Sequence, residues 1–254
     1  MSDAVLTEED GGVLVITINR PEARNAVNAA VAQGIAAALE ELDSRKDLAV
    51  GILTGAGGTF CAGMDLKGFL KGENTFVEGR GFAGIAQQPP ATPLIAAVEG
   101  YALAGGCEIA LCCDMIVASR EAKFGLPEPK RGLVAGAGGL LRLPQRIPFH
   151  IAMEIALTGD HYSAERMAEL GFINRLAEPG SALTAAKELA SKIAENAPLA
   201  LAATKKIIVG STEWPADEAW DRQNAIMGPV FVSKDAQEGP AAFAQKRKPV
   251  WTGE

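Results

Sequence analysis

Two glutamates are the residues in this sequence best placed to do chemistry. Glu108 lies in Gly100–Asp114, GYALAGGCEIALCCD, separated from a glycine pair by Cys107 alone and directly before an apolar run. Glu128 lies in KFGLPEPKRG between Pro127 and Pro129, which limit its backbone freedom. A helix opening at Gly105 or Gly106 leaves the Gly105 N–H free, uncovered by side-chain bulk and aligned with the positive end of the helix dipole. An oxyanion can sit there. Two carboxylates beside such a site can hold a water molecule between them and move protons at a carbon next to a polarised carbonyl, which is general acid–base catalysis. A carboxylate buried without a partner is costly unless its pKa shifts, so Glu108 is either a surface residue or a tool. Taken singly, each feature has an ordinary structural meaning. An acid in a first helical turn caps the dipole, a loop acid is solvated, and a glycine pair lets a helix start pack closely.

Other chemistries fit less well. The glycine clusters Gly55–Phe60 and Gly136–Leu141 lack the third glycine of a dinucleotide fingerprint, and neither carries the Gly-Lys-Ser/Thr of a phosphate loop. No GxSxG elbow occurs. His150 reads as a helix-start or interface residue and His161 as a loop residue, which argues against a Ser/His/Asp triad. Cys61, Cys107, Cys112 and Cys113 form no CxxC pair and neither histidine stands at ligand spacing from them, so neither a metal site nor a disulfide framework is expected. A reducing cytoplasm suits such a chain.

The elements that must position the two acids follow from hydrophobic patterning. GVLVITIN, Gly12 to Asn19, is β-rich and ends at Arg20-Pro21, where a central strand cannot continue. A helix is predicted from Asn28, its N-cap, because Val31, Ile35, Leu39 and Leu42 recur on one face. AVGILTG and PLIAAVEG are buried strands, joined through the glycine-rich GAGGTFCAGMD, and MIVAS and AKFG are further short strands. Alternating strands and helices up to about residue 125 predict an α/β fold. Beyond residue 150 the pattern turns helical, with Ala182, Ala186, Leu189 and Ile193 on one face. Two or three more helices follow Pro198, one carrying Trp220, Met227 and Phe231 on a shared stripe.

At 254 residues, 48% hydrophobic and with 28 glycines, the chain can bury a large core, and it has no tract long and apolar enough to span a membrane. Its net charge of −7 argues against nucleic-acid partners, although Lys246-Arg247-Lys248 could hold one phosphate-bearing ligand. The acidic start MSDAVLTEEDGG lacks the features of an export signal, which fits the expectation of a cytoplasmic protein.

Order and spacing together resemble the crotonase family, the enoyl-CoA hydratase/isomerase family. The resemblance rests on NRPEARNAVN, GTFCAGMDLK, PLIAAVEGYALAGGCEIALCCDMIVAS, AKFGLPEPKRGL, GAGGLLRLPQRI and the closing FAQKRKPVW. It implies an α/β spiral of ββα units over residues 1–195 and a helical oligomerisation region over 196–254, giving trimers often paired into hexamers. Met64 and Gly105 match the backbone donors of the family's oxyanion hole, and Glu108 and Glu128 match the two catalytic acids of its hydratases. Arg24, Ala62, Asp65 and Lys67 match positions near the CoA nucleotide, and Phe243 and Lys246 match positions reaching the CoA of a neighbouring subunit. The resemblance implies hydration of a 2-enoyl-CoA, with coenzyme A as part of the substrate and no further cofactor or metal. A carnitinyl-CoA-like dehydratase, an isomerase, a hydrolase and a non-catalytic acyl-CoA binder are the alternatives. Two positions depart from the family pattern: Met64 stands where hydratases commonly have alanine, and Ala135 where proline is frequent.

Overall fold

A computed structural model describes residues 4–254. In chain order the elements are β1 Val5–Asp10, β2 Val13–Ile18, α1 Ala29–Ser44, β3 Val50–Gly55, α2 Leu66–Phe69, β4 Phe76–Val77, β5 Gly81–Phe82, β6 Leu94–Val98, β7 Tyr101–Leu103, α3 Gly105–Cys112, β8 Met115–Ser119 and β9 Lys123–Gly125. Then come α4 Gly139–Arg146, α5 Phe149–Thr158, β10 Tyr162–Ser163, α6 Ala164–Glu169, β11 Arg175–Ala177, α7 Ala182–Ala194, α8 Pro198–Ser211, α9 Ala219–Phe231 and α10 Lys234–Ala244.

A six-stranded sheet runs β1-β2-β3-β6-β8-β11 and is parallel except for β1, which pairs antiparallel with β2. Its inner strands are continuous apolar runs because both faces are covered. Leu14, Ile16 and Ile18 point to one side, where Val31, Ile35, Leu39 and Leu42 of α1 pack. Val13 and Val15, with Val50, Ile52, Ile95 and Val117, point to the other, against Ala186 and Ala190 of α7. The Asn28 side chain accepts a hydrogen bond from the Val31 N–H at 3.0 Å, the expected N-cap. β1 carries no apolar run and gave no strand signal. It is an edge strand whose exposed acids suit a position with no further neighbour.

A second sheet, β10-β9-β7, lies beside α3. Leu103 pairs with Gly125, so β7 ends level with β9 and the chain turns directly into α3, all eight of whose residues are buried. Glu128 opens a 3-10 turn, Glu128–Arg131, rather than sitting in an open loop.

The C-terminal helices differ from the rest. α8 and α9 bury no residue, and Trp220, Phe231 and Phe243 are 72%, 70% and 87% exposed. Of the predicted stripe on α9, only Met227 is half-buried. Lys205 anchors α8 to the sheet by an ion pair with Asp114 at 2.6 Å and a bond to the Thr92 carbonyl at 3.0 Å.

Candidate active site

The site is built where β7 ends. Ala104 takes φ 51° and ψ −129°, a conformation costing a side-chain-bearing residue on the order of 1–3 kcal/mol, and donates its N–H to the Gly125 carbonyl at 2.9 Å. This turn aims the first N–H groups of α3 into a cleft of about 760 Å³. Glycine is required next. A Cβ on Gly105 would stand 2.6 Å from the Phe82 ring, and one on Gly106 would stand 2.0 Å from the Cys61 carbonyl oxygen. Across the cleft, Val27 donates to Gly63 at 2.8 Å and accepts from Asp65 at 2.9 Å. In this parallel bridge the N–H of the intervening Met64 faces the other way. Met64 and Gly105 both line the cleft, and among the described residues neither N–H meets a protein acceptor.

Glu108, in the first turn of α3, is only 3% exposed. Its Oε1 accepts hydrogen bonds from the N–H groups of Ala137 at 2.7 Å and Gly139 at 2.9 Å. A Cβ on Gly139 would press on the Glu108 Cγ at 2.9 Å and on Oε1 at 3.0 Å. The Gly136–Gly139 cluster therefore cradles a carboxylate. Burial raises the Glu108 pKa above its ordinary value, against the two N–H bonds and the Arg142 cation, which lower it.

Glu128 is 8% exposed, and its buried Oε2 has no hydrogen-bond partner among the described residues. Burial, with the Glu108 charge adding to it, pushes its pKa up to about 7. Two acids lining one cleft are thereby separated: Glu108 is held as an acceptor by N–H donors, and Glu128 carries a proton near neutrality.

Of the expected CoA-side residues, Arg24 and Ala62 line the cleft and are joined by the Ala62 N–H to the Arg24 carbonyl at 3.1 Å. Asp65 has structural partners instead: it caps α2, accepting from the N–H groups of Lys67 and Gly68 at 3.1 and 3.2 Å, and pairs with Arg20 at 3.1 Å. Lys67 is exposed on α2 and lies outside the cleft lining, as do Phe243 and Lys246 at the end of α10. Ala135 is buried in the loop leading to the cradle.

His161 is a loop residue, as expected, but its loop borders the cleft, where it lies with Tyr101 and Arg131. The pairing of Tyr162 with Phe124 brings it there, a contact between distant segments that leaves no local signal. The aromatic wall of Phe69, Phe76 and Phe82 was likewise not anticipated. Phe82 occupies the space that Gly105 leaves at the helix start.

A mixed α/β fold with a helix start and two buried acids converging on one apolar cleft defines a crotonase-type protein. Residues 8–254 match the family model described as enoyl-CoA hydratase/isomerase. The chain is 42% identical over 251 residues to enoyl-CoA hydratase EchA19 of Mycobacterium tuberculosis, covering 96% of this chain and 94% of that protein. It is 40% identical over 261 residues to carnitinyl-CoA dehydratase of Salmonella enteritidis, covering both chains fully. The crystal structure of enoyl-CoA hydratase EchA1 from Mycobacterium marinum superposes with a TM-score of 0.98 at 61% identity, covering 100% of each chain. The chain belongs to the enoyl-CoA hydratase/isomerase family, with the crotonase fold.

Proposed function

We propose that the protein is an enoyl-CoA hydratase, adding water reversibly to a 2-enoyl-CoA to give a 3-hydroxyacyl-CoA. The observation that carries this is the pair of differently held acids, Glu108 on two N–H donors and Glu128 with a buried, unpartnered Oε2. The thioester oxygen accepts from the N–H groups of Met64 and Gly105, which stabilises the enolate as it forms. Glu108 orients a water molecule and takes its proton as the oxygen bonds to the β-carbon. Glu128 delivers its proton to the α-carbon, closing the addition. Both steps run in reverse for dehydration. The reaction is redox-neutral and uses no cofactor beyond the CoA of the substrate.

Arg24, the Ala62–Asp65 backbone and Lys67 hold the nucleotide end, with Phe243 and Lys246 of the partner subunit completing it. Residues 1–195 form the catalytic core and 196–254 the oligomerisation region of a homotrimer or a hexamer of paired trimers. The bare faces of α8 and α9 support this assignment. The negative charge opposes nucleic-acid binding. Four unpaired, buried cysteines suit the cytoplasm, and no helix among the described residues is long and apolar enough to cross a membrane.

Full-length similarity to a carnitinyl-CoA dehydratase favours a second reading in which the same acids act on an acyl group bearing a quaternary ammonium. The rings of Phe69, Phe76 and Tyr101 in the lining are of a type that receives such a cation. Turnover of purified protein on a panel of 2-enoyl-CoA and carnitinyl-CoA thioesters tests both, and no turnover on any member would leave only an acyl-CoA binder.

A further inference from the structure

Arg142 does not itself line the acyl pocket, yet it ties together the two halves of the site. From α4, its Nη2 donates to the Ala86 carbonyl at 2.7 Å and its Nη1 to the Ala137 carbonyl at 3.5 Å. Ala137 is the residue whose N–H holds the Glu108 carboxylate at 2.7 Å, so one peptide segment is gripped from both ends. Ala86 closes the turn that begins at Phe82, donating its N–H to the Phe82 carbonyl at 3.1 Å. The Phe82 ring is the surface against which Gly105 packs. Between Ala137 and Gly139, Gly138 has φ 95°, and a Cβ there would stand 2.2 Å from Nη1, so the backbone leaves room for the guanidinium.

We propose that Arg142 is a positioning residue that couples the Glu108 cradle to the Phe82 wall behind the Gly105 N–H, holding acid and oxyanion donor in one geometry. It also supplies the cation that acts on Glu108. The titratable groups that interact with Glu108 are Cys107 and Cys112 on its own helix, Glu128 from the 3-10 turn after β9, and Arg142 from α4. Arg142 is the only positive charge among them and opposes the upward push of burial. Removing it leaves the carboxylate harder to ionise and the cradle free to shift.

The test rests on the hydratase reading for its kinetic arm and is independent of it in its second arm. In R142M, kcat on a short 2-enoyl-CoA should fall about 10- to 100-fold with KM little changed, and the acid limb of the kcat profile should move to higher pH. R142K should keep the limb near its wild-type position, because the cation remains, while kcat stays depressed, because an ammonium cannot bridge the two carbonyls as a planar fork does. Infrared difference spectra on glutamate-labelled protein, with E108Q and R142M/E108Q as blanks, follow Glu108 ionisation without substrate and should show it completed at higher pH in R142M. Wild-type kcat and an unmoved Glu108 titration in R142M would overturn the proposal. If R142M does not fold, wild-type kcat in R142K would overturn it. Absence of turnover in the wild type would sink the hydratase reading and leave the infrared titration to decide the role of Arg142.

Discussion

Replacing Glu128 by glutamine should make the protein more stable and less active. In the folded chain this acid titrates at about 7, against 4.5 for a free glutamate, chiefly because it is buried. Between those two pH values the folded chain keeps a proton that the unfolded chain has released, so stability falls as pH rises through the window and the penalty is complete above it. The full gap corresponds to at most about 3 kcal/mol, and nearer 1–2 kcal/mol once water in the cleft screens the charge. Glutamine has the same shape and never ionises, so E128Q removes the penalty. For a chain of this size, each kcal/mol moves Tm by about 2–4 °C. Melting curves should show E128Q above wild type at about pH 8, with the difference shrinking toward about pH 5. Hydration of a short 2-enoyl-CoA should drop about 100- to 10,000-fold, the usual value of a positioned proton donor. An E128Q protein that melts no higher than wild type at alkaline pH and keeps full hydration activity would refute both the buried-acid argument and the role given to Glu128.

E108Q should lose turnover by a similar factor of about 100 to 10,000 while folding normally, measured as kcat beside circular dichroism. G139A, whose Cβ would meet Glu108 Cγ at 2.9 Å, should shift the carboxylate and lower kcat more than it raises KM. M64A should leave the backbone donor in place and raise kcat/KM for bulkier acyl groups relative to crotonyl-CoA, read from a substrate series. W220D/F231D, altering side chains 72% and 70% exposed in the single chain, should reduce the mass measured by light scattering without unfolding the core.

Much of this was legible because it was local. The runs VLVITI and VGILTG, the cap at Asn28 and the stripe of α1 each follow from near neighbours, and the structure has them as strands and a helix. The family resemblance singled out Glu108, Glu128, Met64 and Gly105, and all four line one cleft. What stayed hidden depends on chain closure. Gly136–Gly139 looked like a failed nucleotide loop because its partner, Glu108, lies some 30 residues earlier. His161 reaches the cleft only through strand pairing with β9. Asp65 caps α2 locally, but its ion pair with Arg20, 45 residues earlier, left no local signal. β1 was missed for a different reason: an exposed edge strand needs no apolar alternation.

The most direct test of the two-acid mechanism is isotopic. Purified protein is mixed with crotonyl-CoA in deuterium oxide enriched in oxygen-18, and the product thioester is analysed by mass spectrometry. The predicted product carries one solvent oxygen at the β-carbon and one deuterium at the α-carbon, with neither label incorporated by E108Q or E128Q at a comparable rate. Failure of the wild type to form the doubly labelled product, or labelling by either variant at the wild-type rate, would contradict the account.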